Sequence, residues 1–468
     1  MSTIGGKFAE YGLGLTFQDL PAEVIKQAKR LVLDTIGCAI GGYTSDASRI
    51  LISAIPDLGG TAESTIIGSG IKTSCANAAL ANGVMVRFLD LNDGYIIAKP
   101  VLTGTHPSEI IPPIFAVGER QRSSGKQVIE AMVAGYELSA RFNDACTVNK
   151  SIEHKGWNID LRAGFIVPVV VGKLLGLNAE EIENAIGIAG SLNMVLGILD
   201  APKEEYTMSK NLRFPFTAYD AIIASILAQK GFTGPKKVIE GQRGFVESVM
   251  GGDFDFKKCT DFNGFRIMQT SFKSFPSDGT THGHLTATLQ LVKENDIKPE
   301  DVAQVRIFAS SRDVEHTGQP EKRYPHNKET ADHSSYYLTA VAISDREVSS
   351  RQYTSAKYDD PRIRELNDKV IFEADPSLDN LPTAGISEIT TKQGKTYKKR
   401  VDYPRGEPRN PMTDKELEDK FRSLATDFMM DTQISDVINT IDQLDTLTDI
   451  SILMEKLSLF SLLEARLI

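Results

Sequence analysis

Apolar residues recur at helical spacing through most of the first 266 residues. In "PAEVIKQAKRLVLDTIGCAIGGY", Val24, Ala28, Leu31, Val32, Ile36 and Ile40 share one helical face. Pro21 suits a first turn, and Gly41-Gly42 marks an end. "SCANAALANGVMVRFLDL" continues in small residues, as closely packed helices require. "SGKQVIEAMVAGYELSARF", "GFIVPVVVGKLLGL" and "TAYDAIIASILAQKGF" follow the same style, the last closing at Gly231. In "NAEEIENAIGIAGSL", Asn178 and Glu181 have the spacing of a capping box. The apolar faces are wide, which predicts helices packed inside a domain rather than laid on its surface.

The pattern changes near residue 265. "DVAQVRIFAS" has the β-branched alternation of a strand. "ISEITTKQGKTYKKRVDY" reads as a hairpin turning at Gly394. "HGHLTATLQLVKEN" and "HSSYYLTAVAISD" are helical stretches between them. "YPRGEPRNP" is a Pro- and Gly-rich linker. "TDKELEDKFRSLATDF" then opens another helix, with Thr413 and Glu416 at capping-box spacing. The expected fold is mainly α. A large all-helical domain comes from both chain ends, residues 1–266 and 404–468, with a smaller α+β domain, 267–403, inserted.

Composition narrows the function classes. Charged residues make up 24% of the 468 and the net charge is -10. That argues against nucleic acid, which needs a basic face. An anionic substrate remains open, because a small site can be basic within an acidic chain. Cys38, Cys75, Cys146 and Cys259 form no CxxC pair, so neither a zinc ribbon nor a disulfide framework is suggested. The most apolar run, "FIVPVVVGKLLGL", is too short to span a membrane and contains Pro168 and Lys173. The start lacks the features of a signal peptide. The expectation is a cytoplasmic protein without membrane partners.

Two motifs lead nowhere. "GSGIKTS", Gly68 to Ser74, lacks the spacing of a phosphate loop. His282 and His284 would share a face in a strand, but they open a helical stretch with no third ligand nearby.

Other polar residues sit at the edges of apolar helices. Asp90 and Asp93 follow one helix, and His106 lies in "THP" soon after. Lys210 and Arg213 occupy a polar break, Lys273 and His282 flank a Pro-containing loop, and "ADHSSYYL" offers Asp332, His333, Tyr336 and Tyr337. Each alone has an ordinary reading as a cap or surface contact.

The segments "LDTIGCAIGG", "ANGVMVRFLDLND", "THPSE", "AGYELSARF", "MSKNLRF", "KSFPSDGTTH" and "PRNPMTDKELEDKF" occur in an order and spacing that resemble the MmgE/PrpD family. The resemblance spans essentially the whole chain. It implies that the α+β domain is a lid, that the protein is a homodimer, and that neither metal nor cofactor is needed. It implies a cleft site for small carboxylates. Asp90, His106, Lys210 and His282 match its catalytic positions. Asp93, Arg213, Lys273, Asn158 and Tyr337 are the expected substrate contacts, with His333 a weaker candidate than Tyr337.

Two departures stand out. Gly94 replaces a threonine, and Asn158 replaces a histidine, of decarboxylase-like members. The loop "IIAKPVLTG" before His106 is also longer.

The implied function is a lyase that dehydrates a 2-methylcitrate-like hydroxy acid. Removing a proton beside a carboxylate builds negative charge, which nearby cations stabilise. Histidine suits the acid and base tasks because its unperturbed pKa lies near neutrality. The alternatives are epimerisation of an iminodisuccinate-like substrate, decarboxylation of cis-aconitate, and a catalytically silent carboxylate-binding protein.

Overall fold

The computed structural model describes residues 2–97 and 103–459. Positions 98–102, the middle of the long loop before His106, lie outside the described residues.

The mainly helical expectation holds, and the helices fall where the periodicity puts them. Ala22–Gly42, Cys75–Phe88, Gly125–Ala145, Ala163–Leu175 and Arg213–Gln229 form one packed assembly. The helices Cys75–Phe88 and Ala163–Leu175 are buried at almost every position. This explains their small or uniformly apolar side chains. The capping boxes at Asn178/Glu181 and Thr413/Glu416 both form.

Residues from both ends of the chain share one hydrophobic core. It runs from Ile4 to Phe272 and resumes from Met412 to Leu459. Helix Asp414–Ala425 lays Phe421 and Leu424 against Gly37 and Gly41 of helix Ala22–Gly42. Lys420 pairs with the buried Asp34 at 2.6 Å and donates to the Leu91 carbonyl at 2.9 Å. A helix made late in the chain thus steadies the loop that carries Asp90 and Asp93.

The first half of the chain departs from all-helical. β1 (Ser64–Thr65) pairs with β2 (Lys72–Thr73), and β3 (Tyr95–Ile97) with β4 (Thr103–Thr105). Ladders of two or three residues are too short to show alternation, so no periodicity marked them. The "GSGIKTS" segment is the end of the turn after β1 together with β2 itself, tied by Gly68 N–H to the Leu457 carbonyl.

A second core contains Leu285 to Ile389. Its sheet has the order β6 (Val370–Ala374), β5 (Val302–Ala309), β7 (Gly385–Thr391), β8 (Thr396–Val401). β5 pairs parallel with β6 and antiparallel with β7, and the β7–β8 hairpin turns at Gly394 with φ of +81°. Helices His282–Glu294 and Ser335–Ser344 pack together beside this sheet. No periodicity marks β6, because its five residues, VIFEA, show little alternation.

Gly125 gives a test of the shared core. A Cβ there would run into the Leu444 carbonyl of the C-terminal segment. Gly125→Ala is expected to lower unfolding stability by about 1–3 kcal/mol, the usual cost of overpacking. Urea unfolding checks this. An unchanged midpoint would contradict the close packing.

Candidate active site

The site is assembled from loops of both cores. Helix Cys75–Phe88 ends, and Asp90 then takes a left-handed backbone with φ of +50°. Aspartate tolerates that region better than most residues. The reversal brings the Asp90 carboxylate back to Arg87, at 2.9 Å. Lys210, from the turn Met208–Leu212, reaches the same carboxylate at 3.0 Å. Lys273 donates to both the Asp90 carboxylate and its carbonyl. One buried anion therefore anchors three cations. Burial alone would raise the Asp90 pKa, but Arg87, Lys273 and Lys210 hold it well below the usual carboxylate range.

A chain of alternating charge extends from this point. Glu109 lies between Arg87 and Arg162, Arg162 pairs with Asp160, and Arg213 bridges Asp160 (3.1 Å) and Asp200 (2.7 Å). Buried cations so satisfied stay fixed in place, since removing either partner strands a charge.

A cavity of about 560 Å³ opens beside these networks. Arg87, His106, Arg213, Lys273, His282 and His333 line it, with Gly94 and Asn158 at its wall. The volume suits a small ligand.

The ring of His106 has a defined tautomer. Its Nδ1 lies 2.6 Å from the Asp93 carbonyl, which can only accept, so Nδ1 carries the proton. Nε2, on the ring's other side, is then an acceptor and has no hydrogen-bond partner among the described residues. Burial, together with Arg87 and Lys273, pushes the His106 pKa well below 6.5. The ring is thus neutral near pH 7 and able to take a proton. His282 is also neutral: burial and Lys273 lower its pKa to about 3. Its Nε2 is buried with no hydrogen-bond partner among the described residues.

His333 sits in different company. Its Nδ1 lies 2.5 Å from Asp332, and its Nε2 is 3.6 Å from Asp278 and 3.7 Å from Asp90.

Some candidates lie elsewhere than expected. Lys210 and Asp90 stand behind the cavity wall, where Lys210 is enclosed by Asp90, Asp332 and His333. Asp93 does not face the cavity. Its carboxylate accepts from Ser108 N–H at 3.1 Å and from the Tyr136 hydroxyl at 2.8 Å, so it braces the His106 loop. Tyr337 is likewise turned away and donates to the Gln352 carbonyl at 2.5 Å. The segment "ADHSSYYL" offers the cavity His333 instead. Asn158 lines the cavity, and its Oδ1 caps Asp160 N–H at 2.9 Å.

Arg87, Asp160, Asp200, Asp278 and His316 were missed. Arg87, Asp160 and Asp278 lie beside residues already singled out, in "VRFLDLND", "WNID" and "SFPSDGTTH", whereas Asp200 and His316 stand in segments without any such signal. Two sets of side chains have metal-ligand spacing: Asp200, His316 and His333, and Asp90, Asp332 and His333, each with ligand atoms within 4.8 Å of one another. Lys210 already provides a cation to the second set. His284 turns to Phe372, away from His282, and does not form a pair with it. No helix among the described residues is long and apolar enough to cross a membrane.

A mainly helical chain thus gathers histidines and paired cations around one open cavity. The chain belongs to the MmgE/PrpD family: residues 6–257 match the MmgE/PrpD N-terminal domain and residues 275–444 the C-terminal domain. It is 28% identical to the cis-aconitate decarboxylase of Homo sapiens, over 97% of this chain and 94% of that protein. It is 25% identical to the cis-aconitate decarboxylase of Aspergillus terreus, over 98% and 96%. With the 2-methylcitrate dehydratase of Escherichia coli it shares 24% identity over 74% of this chain and 73% of that protein. The similar proteins are thus lyases of two reaction types.

Proposed function

We propose that the protein is a lyase acting on a small di- or tricarboxylate, most simply the dehydration of a 2-methylcitrate-like hydroxy acid. The observation that carries this is His106: its Nδ1 carries the proton toward the Asp93 carbonyl, and the ring lines the same cavity as Arg87, Arg213 and Lys273. His106 takes the carbon-bound proton. The cations stabilise the charge that grows on the adjacent carboxylate, most strongly in a water-poor cavity. Lys210 and Asp90 act as positioning residues, holding Lys273 and Arg87 from behind. His282 remains a second acid/base candidate. The reaction proceeds without metal or cofactor, and the inserted domain, residues 267–403, serves as a lid.

Decarboxylation of cis-aconitate is the second reading. It is favoured by the nearly full-length match to cis-aconitate decarboxylases. Gly94 and Asn158, which replace polar groups of decarboxylase-like pockets, weigh against it.

Incubation with 2-methylcitrate, citrate, cis-aconitate and iminodisuccinate in deuterated water separates the possibilities. Dehydration gives a conjugated alkene absorbing in the ultraviolet, and decarboxylation releases carbon dioxide. Epimerisation incorporates deuterium without changing composition. Binding without turnover marks a silent carboxylate-binding protein. Loss of activity with a chelator would count against the metal-free reading.

A homodimer belongs to the same proposal. Leu192, Met194 and Ile198, with Phe216, Ile223 and Leu227 of helix Arg213–Gln229, are large apolar side chains left exposed. Ile198 also lines the cavity, so a second copy covering this face would brace the cavity wall. Light scattering should give twice the chain mass, and Phe216→Glu should halve it. A monomeric wild type would sink the idea.

A further inference from the structure

Dehydration needs an acid for the departing hydroxyl as well as a base. The two histidines that best match the family's pattern are both poorly placed to be that acid. His106 and His282 lie beside Lys273, and burial disfavours their charged forms. A proton donor should stand among carboxylates instead.

His333 does. Asp332 accepts from its Nδ1 at 2.5 Å and is itself held by Lys328 at 2.6 Å. Lys210 Nζ lies 3.3 Å from the same Nδ1, but an ammonium cannot accept, and its bonds go to Asp90 and Asp332. Nε2, at the far side of the ring, has carboxylate oxygens of Asp278 and Asp90 at 3.6 and 3.7 Å. Those distances are too long for hydrogen bonds but short enough to attract positive charge. Asp200 lies close by as well. The rings of His316 and Tyr206 meet His333 edge to face and fix its plane. The ring lines the cavity, and its Nε2 makes no hydrogen bond among the described residues.

We propose that His333 is the general acid of the reaction, with Asp332 as its positioning residue. The inference rests on the dehydratase reading. His106 Nε2 removes the carbon-bound proton, and that electron pair becomes the new C=C bond. The C–O bond breaks, and its electrons leave on oxygen. His333 gives that oxygen its Nε2 proton, so water departs. The ring becomes neutral and keeps its Nδ1 proton on Asp332, the way a carboxylate steadies an imidazole that cycles its charge.

The test compares wild type, His333→Gln and Asp332→Asn on the hydroxy acid and on its analogue with fluoride replacing the hydroxyl. Fluoride leaves without full protonation. His333→Gln is expected to lose about a hundredfold or more in kcat on the hydroxy acid, but under tenfold on the fluoro analogue. Asp332→Asn should likewise lower kcat on the hydroxy acid by more than on the fluoro analogue. Equal losses on both substrates, or a His333→Gln enzyme within threefold of wild type, would overturn the assignment while leaving the dehydratase reading intact. Wild type that decarboxylates, epimerises or does nothing overturns the reading and the assignment together. Melting curves and binding of the unreacted acid show whether each variant is folded; if His333→Gln does not fold, His333→Asn is read by the same ratio.

Discussion

His106→Asn is expected to lower kcat by about 10²- to 10⁴-fold, the usual contribution of a positioned base. The asparagine amide nitrogen takes the place of Nδ1 and can still donate a proton toward the Asp93 carbonyl, so the loop should survive. What it lacks is an acceptor that can take a proton. KM should change far less than kcat, because Arg87, Arg213 and Lys273 remain. The pH profile supplies the sign. The His106 pKa is depressed below 6.5 by burial, Arg87 and Lys273, so its neutral form persists below that pH. The acid limb of kcat/KM in the wild type should therefore fall below pH 6.5. A variant retaining more than a tenth of wild-type kcat, or a wild-type limb above 6.5, would remove His106 from the proposed role.

The second large effect is on stability. Asp90→Ala should cost about 3–5 kcal/mol, since Arg87, Lys210 and Lys273 would be left buried around no counter-charge. That is a large share of a typical folding stability. Asp90→Asn separates the causes. Asparagine accepts the left-handed backbone as aspartate does, yet carries no charge. It should recover little of the loss. Guanidinium unfolding midpoints would settle the matter, and an Asn variant within about 1 kcal/mol of wild type would refute the charge argument. The pH dependence follows in sign. The folded Asp90 pKa lies below its unfolded value, so its contribution is complete above the ordinary carboxylate pKa of about 3.9. It is lost as the pH falls from there through the depressed folded value.

The helices were legible because each carries an apolar face many residues long, and their caps are local. Short ladders such as β1–β2 and β3–β4 had no such signal. The polar site was partly legible. His106, Arg213, Lys273, His282 and Asn158 do share one cavity. Order along the chain, however, says nothing about which way a side chain turns. In "ADHSSYYL", His333 precedes the helix and reaches the cavity, whereas Tyr337 lies within it and faces Gln352. Asp93 illustrates the same limit: its neighbours Ser108 and Tyr136 come from other segments. The charge chain through Arg162, Asp160 and Arg213 is a property of convergence, and no local pattern encodes it.

The shared helical core also sets a timetable. Every residue of the Leu285–Ile389 core is synthesised before Phe421, Ile434 or Leu453, which the first core requires. At about 5–20 residues per second, the ribosome needs roughly 3 to 12 s between the end of β8 and Leu459. During that interval the helix Ala22–Gly42 has an apolar flank awaiting Phe421 and Leu424. The nascent chain therefore passes through a stage in which the sheet unit can already be folded while the older helices stay uncovered. It is then that a chaperone has most to hold.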